Sequence, residues 1–553
     1  MKLDRTVLLL LALALVPIVP QILFGYGGHD FRQHVPSWME LRDLWGAGQF
    51  HPGWAPLANF TLGDLRFSYY PPVSFIIGAG LAMLLPFKLV PAAYVWITFA
   101  CCGLAMYYAS RDFVAPEDRW KAAVLYMASP YLLTTSLVRF AAAEAMTLIW
   151  LPFLFLYLYR AVWTRDHRAT LLLGSLLGVT WLTNVPASIV LLYALLPAVF
   201  VLAGIQRSPR PLLALFFAEC IAAGLAAFYL APTWFEQEWI HRDEVLRDNY
   251  ATNFLFTPLS HVILVLFILA IWLYLCVSVA LVTFYAWAGR RDIEDKSQTQ
   301  SQTRTWLTVT LVCFFFNLPI SAILWKYLPE LRFADFPFRF MAPIGVMVPL
   351  MLLAQSTPKR WRVPSYILLG VLALLPIREY RAAKSALVNL KELLPEWQQH
   401  GYRGWPEFVP ADATRPLDPP AFPAASAAGG ANTPQCTAAV QSSHDIHKVL
   451  VAQAAAPCQI RVAQFFYPYW RATDESGNVL QTSRDPYGLL LIQVPAGQHT
   501  IQLAFVAAST ARSVSIAVSI LTLLVILLIL FNENLRLRLG IAPRIDEPAE
   551  TNA

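Results

Sequence analysis

The sequence predicts an α-helical polytopic membrane protein of about twelve spans, carrying one small β domain near its C-terminus. Three observations lead there. Apolar runs of near-span length recur along the chain from Val7 to Phe531. Only 14% of the residues are charged against 57% hydrophobic, where a soluble domain carries roughly 25% charged. One stretch, about 449–507, changes to the short alternating runs and turn signals of β-strands.

About 20 apolar residues cross a bilayer as a helix, which gives spans at 7–24, 92–110, 121–138, 145–160, 169–183, 186–204, 212–232, 261–288, 305–325, 340–355, 363–377 and 513–531. No small-x-small cleavage site closes the first run, so it reads as a retained signal anchor. The segment Val73–Val90 is apolar but interrupted by Pro86 and Lys88, and it reads as a re-entrant or juxtamembrane helix. Charge decides this. With 73–90 left out of the count, Lys2/Arg5, Arg111/Arg119/Lys121, Arg160/Arg165/Arg168, Arg207/Arg210, Arg290/Arg291/Lys296, Lys359/Arg360/Arg362 and Arg536/Arg538 fall on one side. That is the positive-inside pattern, and it places both termini, with the tail 532–553, in the cytoplasm. Arg378, Arg381 and Lys384 fall on the outer side, against the rule.

The outer regions are then the loop Gly25–Pro72, the turns Arg139–Glu144 and Thr183–Asn184, the loops 233–260 and 326–339, and everything in 378–512. The cytoplasmic loops are short and basic, apart from a Gln/Ser/Thr-rich linker at 289–304. The formal charge of +6 sits in these topogenic clusters, so nucleic acid is not an expected partner. No Walker loop or dinucleotide glycine fingerprint is present in the sequence. In the outer soluble region, KSALVNLKELLPEWQQH begins as a helix, Pro410–Pro434 is a Pro/Ala-rich linker, and strands follow, with turns at ESGN and PAGQ. Five of the seven cysteines lie in apolar segments. Cys436 and Cys458 lie in the outer region and are placed to pair in an oxidising compartment.

Chemistry is expected on the outer face, and first in Gly25–Pro72. A long connection rich in aromatic residues is neither idle nor disordered, so it reads as a folded cap over a membrane-embedded site centred on Asp30. Phe31, Val35, Trp38, Leu41 and Trp45 recur at helical spacing, predicting a helix that lies in the membrane interface. Asp30 either N-caps that helix or, with His34 one turn on, forms a base and polarising group able to deprotonate a hydroxyl. Two such residues make a poor metal site, and no metal is expected. Tyr69 and Tyr70 open SYYPPV, either as interfacial aromatics or as substrate contacts. Arg139 and Glu144 stand at the outer ends of two spans, where ionisable groups are costly and are either functional or paired. Asn184 interrupts the next outer turn, and Glu236 lies in a charged outer loop. Arg332 and Arg339 lie among aromatics in LRFADFPFRFMAP, suited to a lipid phosphate or to snorkelling.

A long first outer loop with an acidic residue just after the first span, an interfacial helix and a YPP turn together resemble the GT-C superfamily of integral-membrane glycosyltransferases. Within it, GHDFRQHVPSW, SYYPPV, VRFAAAE, FPFRF and PYWRA…VPAGQHTIQLAF resemble the bacterial YfhO-like membrane proteins and a related group named for 6-pyruvoyl-tetrahydropterin synthase. The resemblance covers nearly the whole chain. It implies inverting transfer of a sugar from a polyprenyl-phosphate donor to an envelope glycan, lipid or polymer acceptor, at the outer face of the bacterial cytoplasmic membrane and without a cofactor. By it, Asp30 would activate the acceptor, Arg139, Arg332 and Arg339 would hold the donor phosphate, and Glu144 would make a polar contact to sugar or acceptor. From the residues themselves, His34 joins Asp30 as a catalytic candidate, and His29, Tyr69, Tyr70, Asn184 and Glu236 are further candidate substrate contacts. The chain departs from the family in having Phe31 and Arg32 where a second acidic residue often stands, and in lacking the oligosaccharyltransferase-type WWD signature. Transfer to protein asparagine is therefore not expected. Two rivals remain open at this point: a transporter or flippase of lipid-linked saccharide, and a non-catalytic envelope scaffold.

Overall fold

The computed structural model describes residues 4–164, 166–246, 249–255, 257, 262–288, 296–354, 359–382, 387–411, 413, 423–428, 436–444, 446–507 and 509–532. Lys2, Arg165, Arg290, Arg291, Lys384, Arg536 and Arg538 of the basic clusters, most of the Pro/Ala linker and the tail beyond Asn532 lie outside the described residues. The architecture is mostly helical, followed by two β-sheets and a final long helix.

Among the described residues, five helices are long and apolar enough to cross a membrane: Arg5–Phe24, Phe87–Asp112, Val185–Gln206, Lys359–Arg381 and Thr510–Phe531. Two further expected spans are bent pairs, Arg210–Leu225 with Ala227–Phe235 at 79° and Gln300–Phe316 with Pro319–Tyr327 at 76°. Pro319 causes the second bend, since proline has no N–H to continue a helix. The first is held by the last helix. There Ser519 Oγ accepts from Phe228 N at 2.9 Å and donates to the Gly224 carbonyl at 3.2 Å, satisfying backbone groups that the break exposes. The expected span 121–138 breaks at Pro130 into Arg119–Met127, Pro130–Leu133 and a π-helical turn, Thr134–Val138. The helix Lys359–Arg381 runs beyond the expected end at 377. Arg378 and Arg381 thus sit in its last turns, where cations complement the helix dipole, a physical reason for basic residues there whichever side they face.

The loop Gly25–Pro72 folds around a helix, Phe31–Gly46, whose side chains are mostly buried by protein. Phe31, Val35, Trp38 and Leu41 are buried, and so are His34, Ser37 and Glu40, which carry the covered arc further round the helix. Trp38 stacks on Tyr94 at 4.5 Å between centroids and lies on the following helix, Pro72–Leu84. That helix is 13 residues long, about 20 Å at 1.5 Å per residue, short of the ~30 Å hydrocarbon core. Gly78 makes the contact possible: a Cβ there would sit 2.4 Å from the Trp38 ring, whereas one at Gly80 would meet nothing within 4 Å. Gly78→Ala is therefore expected to lower stability by about 1–3 kcal/mol, and Gly80→Ala to leave the unfolding midpoint in detergent unchanged or slightly raised. Equal midpoints for the two variants would contradict this packing.

The segment after the eleventh predicted span closes over this loop as a lid. Helix Leu390–His400 starts on Asn389, whose side chain accepts from Lys391 N. Tyr402 then pairs its backbone with Leu57 and Phe60. The β part is a two-sheet sandwich built from Ala425–Ala427 (β1), Cys436–His444 (β2), His447–Ala454 (β3), Cys458–Phe465 (β4), Trp470–Thr473 (β5), Val479–Leu480 (β6), Thr482–Arg484 (β7), Leu489–Val494 (β8) and Gly497–Phe505 (β9). The sheet orders are β1-β4-β8-β7 and β2-β3-β9-β5-β6, every pairing antiparallel. It begins earlier than 449, because β2 (CTAAVQSSH) is made of small polar residues with little alternation to read. The PAGQ turn does not join a hairpin; it carries the chain from one sheet to the other. Cys436 and Cys458 are disulfide-bonded, linking β2 to β4 and so the two sheets. The sandwich docks on the first loop through Trp54, whose ring meets Tyr467, Trp470 and Phe505 at 5.3–5.4 Å.

Candidate active site

The site starts from a backbone contact. Gly28 has φ +123°, and a Cβ there would fall 2.5 Å from Phe140 Cβ, so only glycine lets the loop lie on the Arg139–Phe140 turn. Asp30 N donates to the Arg139 carbonyl at 2.8 Å. The π-turn that precedes Arg139 and the left-handed φ of 49° at Phe140 aim that carbonyl and its side chain at the loop.

Asp30 occupies the N-cap position of its helix, yet its carboxylate makes no capping bond. Oδ1 instead lies 2.6 Å from His29 Nδ1. The His29 side chain is 85% exposed and that of Asp30 22%. Burial pulls the Asp30 carboxyl upward, but the His29 hydrogen bond and the charge of Arg139 outweigh it and hold it below the usual carboxylate value. The same hydrogen bond and the Asp30 charge raise His29 against burial and Arg139. Asp30 is therefore a carboxylate at neutral pH.

A buried ion triad lies behind this pair. Glu144 Oε1 accepts from Arg139 Nη1 at 2.7 Å and Tyr131 Oη at 2.6 Å, and its Oε2 accepts from Arg339 Nε at 3.0 Å. Arg339 Nη1 also donates to the Ala334 carbonyl. Phe338 lies 5.3 Å from the Arg139 guanidinium and Phe336 5.2 Å from that of Arg339. A narrow cleft beside the triad is lined by Tyr131, Glu144, Thr147, Leu151, Arg339 and Pro343 among others.

The remaining expected residues are placed differently. His34 bonds to Asp30 only through its backbone N, and its ring is enclosed by Tyr70, Trp405, Phe75 and Trp38 at 5.5–6.4 Å. Nδ1 has no hydrogen-bond partner among the described residues, and burial pushes the ring down to about 4, so it is neutral. Tyr70 stacks on Trp405 at 4.8 Å. Tyr69 Oη donates to the Glu236 carbonyl. The Glu236 carboxylate pairs with Arg512 at 2.7 Å, fastening the start of the last helix. Asn184 N-caps Val185–Gln206 by accepting from Ala187 N at 2.9 Å. Arg332, on Pro329–Phe333, donates to the Lys326 carbonyl. No group of three His, Cys, Asp or Glu residues arranged to hold a metal occurs among the described residues.

A second polar cluster joins loop and lid, and nothing in the sequence pattern announced it. Arg66 forks onto Asp64 (Nε–Oδ1 2.9 Å, Nη2–Oδ2 2.7 Å), donates to Ser37 Oγ and lies against the rings of Tyr402 and Trp405. Glu40 accepts from Leu57 N and from Tyr402 Oη, both at 2.5 Å. Trp405 Nε1 bonds Gln33 Oε1. Burial pushes Glu40 up to about 8 despite Tyr402 and Arg66. The folded state therefore holds this proton at pH values where the unfolded chain has lost it. Its stabilisation is full below the ordinary glutamate value and drains away as pH rises through about 8. Glu40→Gln reproduces the protonated form, with an oxygen for Leu57 N and an amide to donate to Tyr402. It is expected to flatten the decline of the unfolding midpoint between pH 5 and 8, and an unchanged slope would contradict the assignment.

No family model matches the chain, and no curated protein matches it. Among solved structures, the archaeal oligosaccharyltransferase AglB from Archaeoglobus fulgidus, in complex with an inhibitory peptide and a dolichol-phosphate, is similar at 15% identity with a TM-score of 0.41, over 76% of this chain and 61% of that one. The apo form of the Archaeoglobus fulgidus oligosaccharyltransferase overlaps with a TM-score of 0.42 at 15% identity, over 76% and 62%. Its complex with Zn and sulfate gives 0.36 at 17%, over 76% and 59%. The chain thus spans about three-fifths of the length of these enzymes. Overlaps of this depth assign neither a family nor an activity.

Proposed function

We propose that the chain is a GT-C-type inverting glycosyltransferase of the bacterial cytoplasmic membrane. It moves a sugar from a polyprenyl-phosphate donor to an envelope glycan, lipid or polymer on the outer face. The observation that carries this reading is the juxtaposition of an ionised, half-open Asp30–His29 pair with the buried Arg139–Glu144–Arg339 triad, joined through the Asp30 N to Arg139 carbonyl bond. Transfer from a lipid phosphate needs a base at the acceptor hydroxyl and cationic donors at the departing phosphate.

In this mechanism the Asp30–His29 pair removes the acceptor proton, while the two arginines receive the charge that develops on the phosphate. Glu144 is not a sugar contact in this reading. It binds both guanidiniums and so fixes their direction, and Arg139 spends on it one N–H of its five. Phe336 and Phe338 exclude water from the arginines, which strengthens their pull on an anion. His34, Tyr70 and Trp405 form the apolar wall on the other side of Asp30. Tyr69, Asn184 and Glu236 serve as supports for the scaffold rather than as substrate contacts, and Arg332, bonded to the Lys326 carbonyl, is given no part in the phosphate site. The β-sandwich, docked on the loop through Trp54, is suited to positioning the acceptor. Holding donor and acceptor in one cavity supplies much of the rate.

The test is the mass of envelope glycans. Deleting the gene is expected to remove one sugar modification, and restoring it to return that sugar. Identical glycan profiles with and without the gene would overturn the reading.

A further inference from the structure

The geometry points to His29 Nε2, rather than a carboxylate oxygen of Asp30, as the atom that takes the acceptor's proton, with Asp30 as the positioning carboxylate. This rests on the glycosyl-transfer reading above. A carboxylate only accepts hydrogen bonds, so His29 Nδ1, 2.6 Å from Asp30 Oδ1, carries the ring hydrogen. In the neutral imidazole the lone pair then resides on Nε2. The His29 side chain is 85% exposed and Asp30 22%, so the imidazole edge, not the carboxylate, is what an incoming hydroxyl meets first.

The pair is rigidly referenced to the phosphate side. Asp30 N is bonded to the Arg139 carbonyl, and Gly28 presses against Phe140. Among the described residues, the charges acting on the ring are those of Asp30 and Arg139. Proton affinity points the same way. Asp30 is held below the usual carboxylate range and is a weak base, whereas His29 is raised from its ordinary value by the Asp30 hydrogen bond and charge, so the ring is the stronger base of the two.

The step balances. The acceptor hydroxyl gives its proton to Nε2 while its oxygen bonds to the anomeric carbon. The bond from that carbon to the phosphate oxygen breaks, and its electron pair leaves on polyprenyl phosphate. The imidazolium, still donating through Nδ1 to Asp30, then returns its proton to water, to which it is open.

The experiment compares the full-length wild type, His29→Gln and Asp30→Asn in lipid nanodiscs. Each is supplied with polyprenyl-phosphate sugars and acceptor extracted from cells lacking the gene, and released polyprenyl phosphate is measured from pH 5 to 9. In parallel, diethyl pyrocarbonate labelling of His29 is followed peptide by peptide across the same range. The wild type is expected to show an acid limb set by His29. His29→Gln should abolish that limb and lower transfer about 10²-fold or more. Asp30→Asn should move the His29 labelling midpoint to lower pH, a readout that requires no turnover. Transfer by His29→Gln within about threefold of wild type, with the acid limb intact, would assign the proton to Asp30 and overturn the inference. So would a labelling midpoint indifferent to Asp30→Asn. Absence of wild-type transfer at every pH would instead sink the glycosyl-transfer reading and this assignment with it, a result distinguishable from the other two.

Discussion

Asp30→Asn is expected to reduce sugar transfer by about 10²–10⁴-fold, the usual contribution of general-base machinery, with the unfolding midpoint close to wild type. The two halves of this expectation come from different observations. Asparagine keeps the shape of the side chain, and the helix loses no cap, because the Asp30 carboxylate does not cap Phe31–Gly46. The backbone bond from residue 30 to the Arg139 carbonyl is also retained. What disappears is the negative charge that orients His29 through Nδ1 and faces Arg139. Arg139 keeps its buried partner Glu144, so the triad does not come apart. A folded but inactive variant is the expected product. Loss of both activity and stability together would point to a structural role for Asp30.

The largest effect on stability is expected at Arg66→Met. Arg66 and Asp64 are both fully buried, and their two-pronged bond is the centre of the cluster that fastens the lid to the first loop. Removing the cation leaves Asp64 an uncompensated buried charge near Glu40, which burial already keeps protonated well above its ordinary range. Breaking such a pair from one side costs about 3–5 kcal/mol. Arg66→Lys is expected to recover only part of this, since an ammonium cannot reproduce the planar fork or the stacking on Tyr402 and Trp405. Thermal unfolding of the purified variants in detergent measures both. A loss below about 1 kcal/mol for Arg66→Met would mean the lid is held by its aromatic contacts alone.

These two residues also mark the limit of what the sequence disclosed. Asp30 was legible because it follows an apolar run at the head of a loop with helical periodicity, both of which are local signals. Arg66 and Asp64 read as ordinary loop polarity, because their burial is made by Tyr402 and Trp405, more than three hundred residues along the chain. The same holds for Glu236, which stood out as a charged outer residue while its partner Arg512 lies 276 positions away. Strands were visible from the apolar run LLLIQV and the alternation in HTIQLAF, but neither says which sheet a strand joins, and β8 and β9 part company at PAGQ. Cys436 and Cys458 stood out as candidates for pairing because both lie in the polar outer region. The breaks at Ala226 and Leu318 were missed because an apolar run looks alike whether straight or bent. At the first break the deciding group, Ser519, belongs to another helix.

The central claim is that Asp30 belongs to the chemistry and not merely to the fold. It is tested most directly by mass spectrometry of envelope glycans from cells lacking the gene and carrying either the wild type or Asp30→Asn at equal protein abundance. The account predicts that wild type restores the missing sugar and that Asp30→Asn leaves it absent. Restoration of the full glycan profile by Asp30→Asn would contradict it, and would make the first loop a scaffold element whose carboxylate does no catalysis.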